Sequence, residues 1–188
     1  MLLKKLKMAR AGYLLMSAVF YISGALYMIL PDVSPLGICI TSGIVLIVYG
    51  IIKIIGYFSK DLYCLAFQYD LACGLFLMVL GTIVLSCSQR VIPYLSPGLG
   101  ALVLLDSLLS IQMSKDSRQF GLETWSVILA AAVIAGVFSV LAIISPFSAR
   151  LSKHIVAGGT LLAEGFKNQC VVHYTVSTMG TRFSEEAQ

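Results

Sequence analysis

Six runs of about 20 mostly apolar residues, parted by short polar breaks, constrain this chain more than any other feature. They cover residues 11–30, 36–58, 69–87, 95–113, 125–144 and 155–176. A helix rises 1.5 Å per residue, so a run of that length matches the ~30 Å hydrocarbon core of a bilayer. Only 12% of the residues are charged, about half the share in soluble domains. The alternation of apolar and polar residues that a transmembrane β-strand needs is absent. The expected class is therefore an all-α integral membrane protein with six transmembrane helices, and its first partner is the lipid bilayer.

The breaks carry the helix-ending and charged residues. Lys4, Lys5, Lys7 and Arg10 precede the first run, which is longer than a secretory h-region and lacks a small-x-small cleavage site. It reads as a retained helix. Pro31 and Pro35 frame a turn, Ser59, Lys60 and Asp61 follow the second run, and residues 62–68 form a short apolar connector. Ser88, Gln89, Arg90 and Pro93 end the third run, and residues 114–118 end the fourth. Trp125 opens the fifth, where interfacial aromatic belts sit.

The sixth run is the difficult one. It carries Glu164, Lys167, Asn168, Gln169 and His173, and an ionised residue at mid-helix costs about 2.5–3.5 kcal/mol on insertion scales. Partner helices must relieve that cost. Residues 177–188 read as a disordered cytoplasmic tail.

With the N-terminus inside, the inner segments hold Lys4, Lys5, Lys7, Arg10, Lys60, Lys115, Arg118 and Arg182, against Arg90, Arg150 and Lys153 outside. That asymmetry places both termini in the cytoplasm of a multi-pass plasma (inner) membrane protein. It also explains the net charge of +4 by topology rather than by nucleic-acid binding, which is not expected. The five cysteines, Cys39, Cys64, Cys73, Cys87 and Cys170, form no C-x-x-C pair and read as packing residues. Cys39 and Cys87 both fall near the outer surface, where a disulfide between them is allowed but weakly motivated.

A second pattern runs through the spans. Gly43 to Gly50, Gly100 to Ser107 and Gly158 to Gly165 each begin with Gly and end with one polar residue and a very small one. The copies start 57 (100 − 43) and 58 (158 − 100) residues apart. The same offsets align Gly24 with Gly81 and Ser139, Ser17 with Gly74 and Ala132, and Pro31 with Ser88 and Pro146. These matches predict one transmembrane domain, residues 1–176, built as three parallel two-helix repeats over residues 12–68, 69–126 and 127–176. Gly43, Gly50, Gly100, Ser107, Gly158 and Gly165 then form small-residue stripes for close helix packing. Such stripes would also suit a homo-oligomer or a partner membrane protein.

Three helix pairs, each with a Gly-bearing first helix ended near Pro and a second helix bearing the glycine frame, resemble the HdeD/DUF308 family of small six-span bacterial membrane proteins. The resemblance covers residues 12–170 and rests on pattern and repeat length. It implies a role in acid or envelope stress tolerance, without a defined molecular mechanism. Two positions depart from the pattern: Ser88 stands in place of a proline and Ser107 in place of the second glycine.

The polar position of the frame is Tyr49, Asp106 and Glu164, and four residues on stand Lys53, Ser110 and Asn168, on the same helix face. This is the candidate intramembrane polar cluster. Intramembrane ionisable groups usually face an interior or a water-filled cavity, so it is either a proton- or ion-responsive centre or the path of a small transporter or channel. The bland reading has Lys53 snorkelling to the interface and Glu164 pairing with Lys167 along one helix. His154 and His173 lie far apart and read as surface residues, and Asp70 and Glu123 as charges at helix N-termini. No metalloprotease, hydrolase, P-loop or dinucleotide fingerprint occurs. The sequence therefore predicts no catalytic residues, no metal, no cofactor and no enzyme.

Overall fold

The computed structural model describes residues 2–30, 34–58, 70–119, 124–145 and 153–186. Among these, all regular structure is helical: α1 (Leu2–Ile29), α2 (Pro35–Phe58), α3 (Asp70–Ser86), the single turn α4 (Ser88–Val91), α5 (Leu95–Gln119), α6 (Trp125–Ile144) and α7 (Lys153–Glu186). A 3₁₀ turn, Ile92–Tyr94, with Pro93 in its first turn, joins α4 to α5. The turn at residues 31–33, the connector at 62–68, Glu123 and Pro146 lie outside the described residues.

Among the described residues, four helical segments are long and apolar enough to cross a membrane: Arg10–Ile29, Pro35–Phe58, Ser88–Gln119 and Trp125–Ile144. Asp70–Ser86 is apolar but has only 17 residues. Two helices outrun the apolar runs that begin them. α5 passes through Ser114, Lys115, Asp116, Ser117 and Arg118 to Gln119, and α7 continues to Glu186 through the segment read above as an unstructured tail. Polar residues end a hydrophobic span without ending a helix, because each added residue gains a backbone hydrogen bond once the helix is nucleated.

Helices that follow one another in the chain are not always neighbours in space. α2 packs along α3, α5 along α6 and α7 along α1, with α6 also against α7. α1 touches α2 only lightly. The three main seams run over small residues. A methyl built on Gly50 would stand 2.6 Å from the Gly74 carbonyl oxygen, and one on Gly100 2.7 Å from that of Ser139. At Gly24 it would stand 2.8 Å from the Gly158 carbonyl oxygen. Backbones this close leave no room for a side chain, which is how small residues act between membrane helices. Ser107 is buried at the corresponding place in α5, with Gly136 of α6 beside it.

Hydrogen bonds supplement the packing. Thr160 donates to the Phe138 carbonyl at 3.1 Å, linking α7 to α6, and Ser114 to that of Trp125 at 2.7 Å, linking α5 to α6. The Arg118 guanidinium lies over the Trp125 ring, 4.8 Å from its centroid. Cys39, Cys73, Cys87 and Cys170 are free thiols; that of Cys39 points at the Ser88 carbonyl, 3.4 Å away, so no disulfide joins Cys39 to Cys87.

Candidate functional site

The candidate polar residues meet where α1, α2, α3, α5 and α7 converge, at the depth of the first half of α1. Tyr49 and Lys53 are one turn apart on α2, as are Asp106 and Ser110 on α5 and Glu164 and Asn168 on α7. Lys53 is buried, with its Nζ 3.0 Å from Asp106 Oδ1 and 3.0 Å from Asp70 Oδ1. The other Asp106 oxygen pairs with Lys167, which is fully buried and lies 2.8 Å from Glu164 Oε2. The result is a chain of alternating charges: Asp70, Lys53, Asp106, Lys167, Glu164. Burying a charge costs several kcal/mol unless it is paired, so the pairing makes these residues tolerable among apolar helices.

Aromatic and amide groups enclose the chain. The Tyr13 hydroxyl donates to Asp70 Oδ2, and Asn168 Nδ2 donates to the Tyr49 hydroxyl at 2.9 Å. Tyr49 packs edge-on against both Phe20, at 5.3 Å, and Tyr13, at 6.4 Å. Lys53 Nζ lies 5.0 Å from the Tyr49 ring centroid, within cation–π range. The Ser110 hydroxyl donates to the Asp106 carbonyl along its own helix, at 2.8 Å, and the residue lines the small space that also borders Lys53, Asp70 and Asp106.

The six candidates thus divide. Lys53, Asp106 and Glu164 belong to the ion-pair chain, Tyr49 and Asn168 to its wall, and Ser110 to a local back-bond. Lys53 does not snorkel, and the Glu164–Lys167 pair exists within a larger network. Asp70 and Tyr13 are additions; Asp70 had been read as a helix-dipole charge. The signal that finds them is the repeat offset itself, because Tyr13 and Asp70 stand 57 residues apart (70 − 13). His154 lies against Tyr27, with ring centroids 5.3 Å apart, away from the network.

Among the described residues, three carboxyls face two ammonium groups. With all five ionised the network carries one excess negative charge, which a single proton or monovalent cation balances. Two spaces border it. A cavity of about 370 Å³ reaches Asp106, Glu164, Tyr49 and Cys73 between apolar walls from α1, α2, α3, α5 and α7. A second space of about 40 Å³ borders Asp106 from another side and is lined by Tyr13, Lys53, Asp70 and Asn168. Among the described residues, no group of three His, Cys, Asp or Glu side chains is arranged to hold a metal ion.

Residues 15–86, from α1 to the end of α3, match the model of a family described as a short repeat of unknown function, DUF308. This segment is similar to a DUF308 repeat. The resemblance drawn from the glycine frame therefore stands at the level of that family. The DUF308 segment supplies Tyr49, Lys53 and Asp70 of the network, while Asp106, Glu164 and Lys167 come from the chain beyond it. No curated protein and no solved structure matches the chain.

Proposed function

We propose that this is a six-span plasma-membrane protein of acid or envelope stress tolerance, in which the buried network takes up one proton as the medium acidifies. The observation that carries the reading is the charge count: three buried carboxyls on two lysines, all within one connected chain. One proton brings it to neutrality, and a neutral network is the cheaper one to hold among apolar helices. The titratable or charged groups facing it are Tyr13 from α1, Tyr49 and Lys53 from α2, Asp70 and Cys73 from α3, Asp106 from α5, and Glu164 and Lys167 from α7.

Six spans follow if α3 and α7 cross as well. Seventeen residues lie at the short end of the transmembrane range, and the polar residues of α7 that oppose insertion, Glu164, Lys167 and Asn168, are buried against partners. The seams support three parallel helix pairs. The pairs Gly43–Gly81, Gly100–Ser139 and Gly158–Gly24 are one pair of positions repeated at offsets of 57 and 58, with the last closing the ring onto the first unit. With both termini cytoplasmic, the network lies in the cytoplasmic half.

The test is proton uptake by purified protein in lipid nanodiscs, titrated from neutral to acid pH. Wild type is expected to take up about one proton more per chain than the Asp106→Asn, Glu164→Gln double variant. Equal uptake by the two proteins ends this reading. A second reading, a small transporter, is supported by the two spaces that border Asp106 from different sides. Solute or proton flux in reconstituted vesicles, lost in the same double variant, would favour it.

A further inference from the structure

The cavity that reaches the network is not confined to it. It adjoins a larger one of about 720 Å³, and both are walled by Phe20, Phe76, Leu102 and Leu161. Together they follow α5 from Leu109 to Leu95, about 21 Å at the helical rise. The far end is bounded by Tyr27, Tyr94, Thr41 and Ser42. Between the ends the walls are almost wholly apolar. This is a long, mostly hydrophobic space with its charged groups at one end, a match for a single-chain amphiphile.

The charge at the inner end decides the head group. The charged side chains lining the cavity there are Asp106 and Glu164, both carboxylates. The two lysines are turned elsewhere: Lys53 lines the small space on the other side, and Lys167 is fully buried between the carboxylates. Glu164 is 3% exposed and lines the cavity, with its two oxygens 3.0 and 2.8 Å from the Lys167 ammonium. One lysine shared between Glu164 and Asp106 leaves negative charge at this end, and a positive charge arriving from the cavity would balance the network. An anionic head would meet two carboxylates, and a neutral head would leave the excess charge in place.

We propose that the cavity is a binding site for a single-chain amphiphile with a cationic ammonium head, its tail along α5 and its head on the Glu164 carboxylate. The inference shares its charge count with the proton reading, because ligand and proton would compete for the same carboxylate. It adds a tail site that the proton reading does not need.

The test uses the full chain in nanodiscs at about pH 8, where an alkylammonium stays charged. A dodecylamine with a photoreactive tail is cross-linked and its attachment mapped, with unlabelled dodecylamine, dodecanol or dodecanoate as competitors. Cross-links are expected on the walls around Phe76, Leu102 and Leu161, with dodecylamine competing about tenfold or more better than dodecanol, and dodecanoate worst. Glu164→Gln should lower the amine to the level of the alcohol. Leu102→Trp, which keeps every charge, should exclude amine and alcohol alike. Equal competition by amine and alcohol in wild type needs no variant to interpret, and it overturns the proposal in favour of a cavity filled by any lipid tail. Labelling confined to the outer surface of the bundle, or an amine preference that survives in Glu164→Gln, also overturns it. A wild-type protein without the amine preference but with its proton uptake intact ends this inference alone and leaves the proton reading standing.

Discussion

Lys53 on α2 and Asp106 on α5 stand 3.0 Å apart, linking helices that are separated in the chain by α3 and α4. This pair joins the ion pairs of the DUF308-like segment to those beyond it, since Lys53 also holds Asp70 while Asp106 also holds Lys167. Removing either lysine adds to the excess negative charge among buried groups.

Lys53→Met should therefore be among the most damaging single substitutions. It leaves Asp70 and Asp106 sharing one lysine fewer, and breaking a buried pair from one side costs about 3–5 kcal/mol. Thermal unfolding in detergent should show a large drop, with partial recovery in the Lys53→Met, Asp70→Asn double variant. A Lys53→Met protein as stable as wild type would mean that the pair is not formed.

The glycine seams predict a position-specific pattern. Gly50→Ala drives a methyl to 2.6 Å from the Gly74 carbonyl oxygen, and overpacking of this kind costs about 1–3 kcal/mol. Gly98→Ala meets nothing within 4 Å and should be neutral or stabilising by up to about 1 kcal/mol through helix propensity. The comparison is read by the unfolding midpoints of the two variants. Equal effects would show that α2 and α3 are not in close contact.

Asn168→Leu removes the donor to the Tyr49 hydroxyl, at a cost of about 1–3 kcal/mol for a buried partner left unsatisfied. Tyr49→Phe should cost less, because it removes the hydroxyl itself and leaves only the Asn168 amide N–H without its acceptor. The double variant should fall short of the sum of the two singles, the sign of a direct interaction. Strict additivity in unfolding free energy would argue against the bond.

Trp125 is the only tryptophan in the chain, and the Arg118 guanidinium covers it at 4.8 Å. Arg118→Ala should shift the intrinsic emission of the protein and cost about 0.5–1 kcal/mol, the range of an exposed cation–π contact. Arg118→Lys should restore part of the shift. An unchanged emission spectrum would place the guanidinium elsewhere.

The helices were legible because their signals are local. Runs of apolar residues, the prolines at 31, 35 and 93, and Trp125 bracket α1 to α6 to within a few residues, except where α1 and α5 continue into polar sequence. The glycine frame was legible too, since Gly43, Gly50, Gly100, Gly158 and Gly165 recur at fixed offsets and each lies against another helix of this chain. The site was only half legible. Tyr49, Lys53, Asp106, Glu164 and Asn168 stand out as polar residues in apolar spans, whereas Asp70 sits at a helix start, where a carboxylate needs no special reason to be.

Sequence alone determined that the chain is a set of apolar helices with small-residue stripes, because helix formation and bilayer matching depend on residues close together in the chain. Which charge meets which was decided only by the tertiary structure. α2 packs on α3 and α7 on α1, and that arrangement brings Tyr13, Lys53, Asp70, Asp106 and Lys167 from five helices to one place. Pairing across helices is a property of neighbours in space, and no periodicity within one helix encodes which helix its neighbour will be.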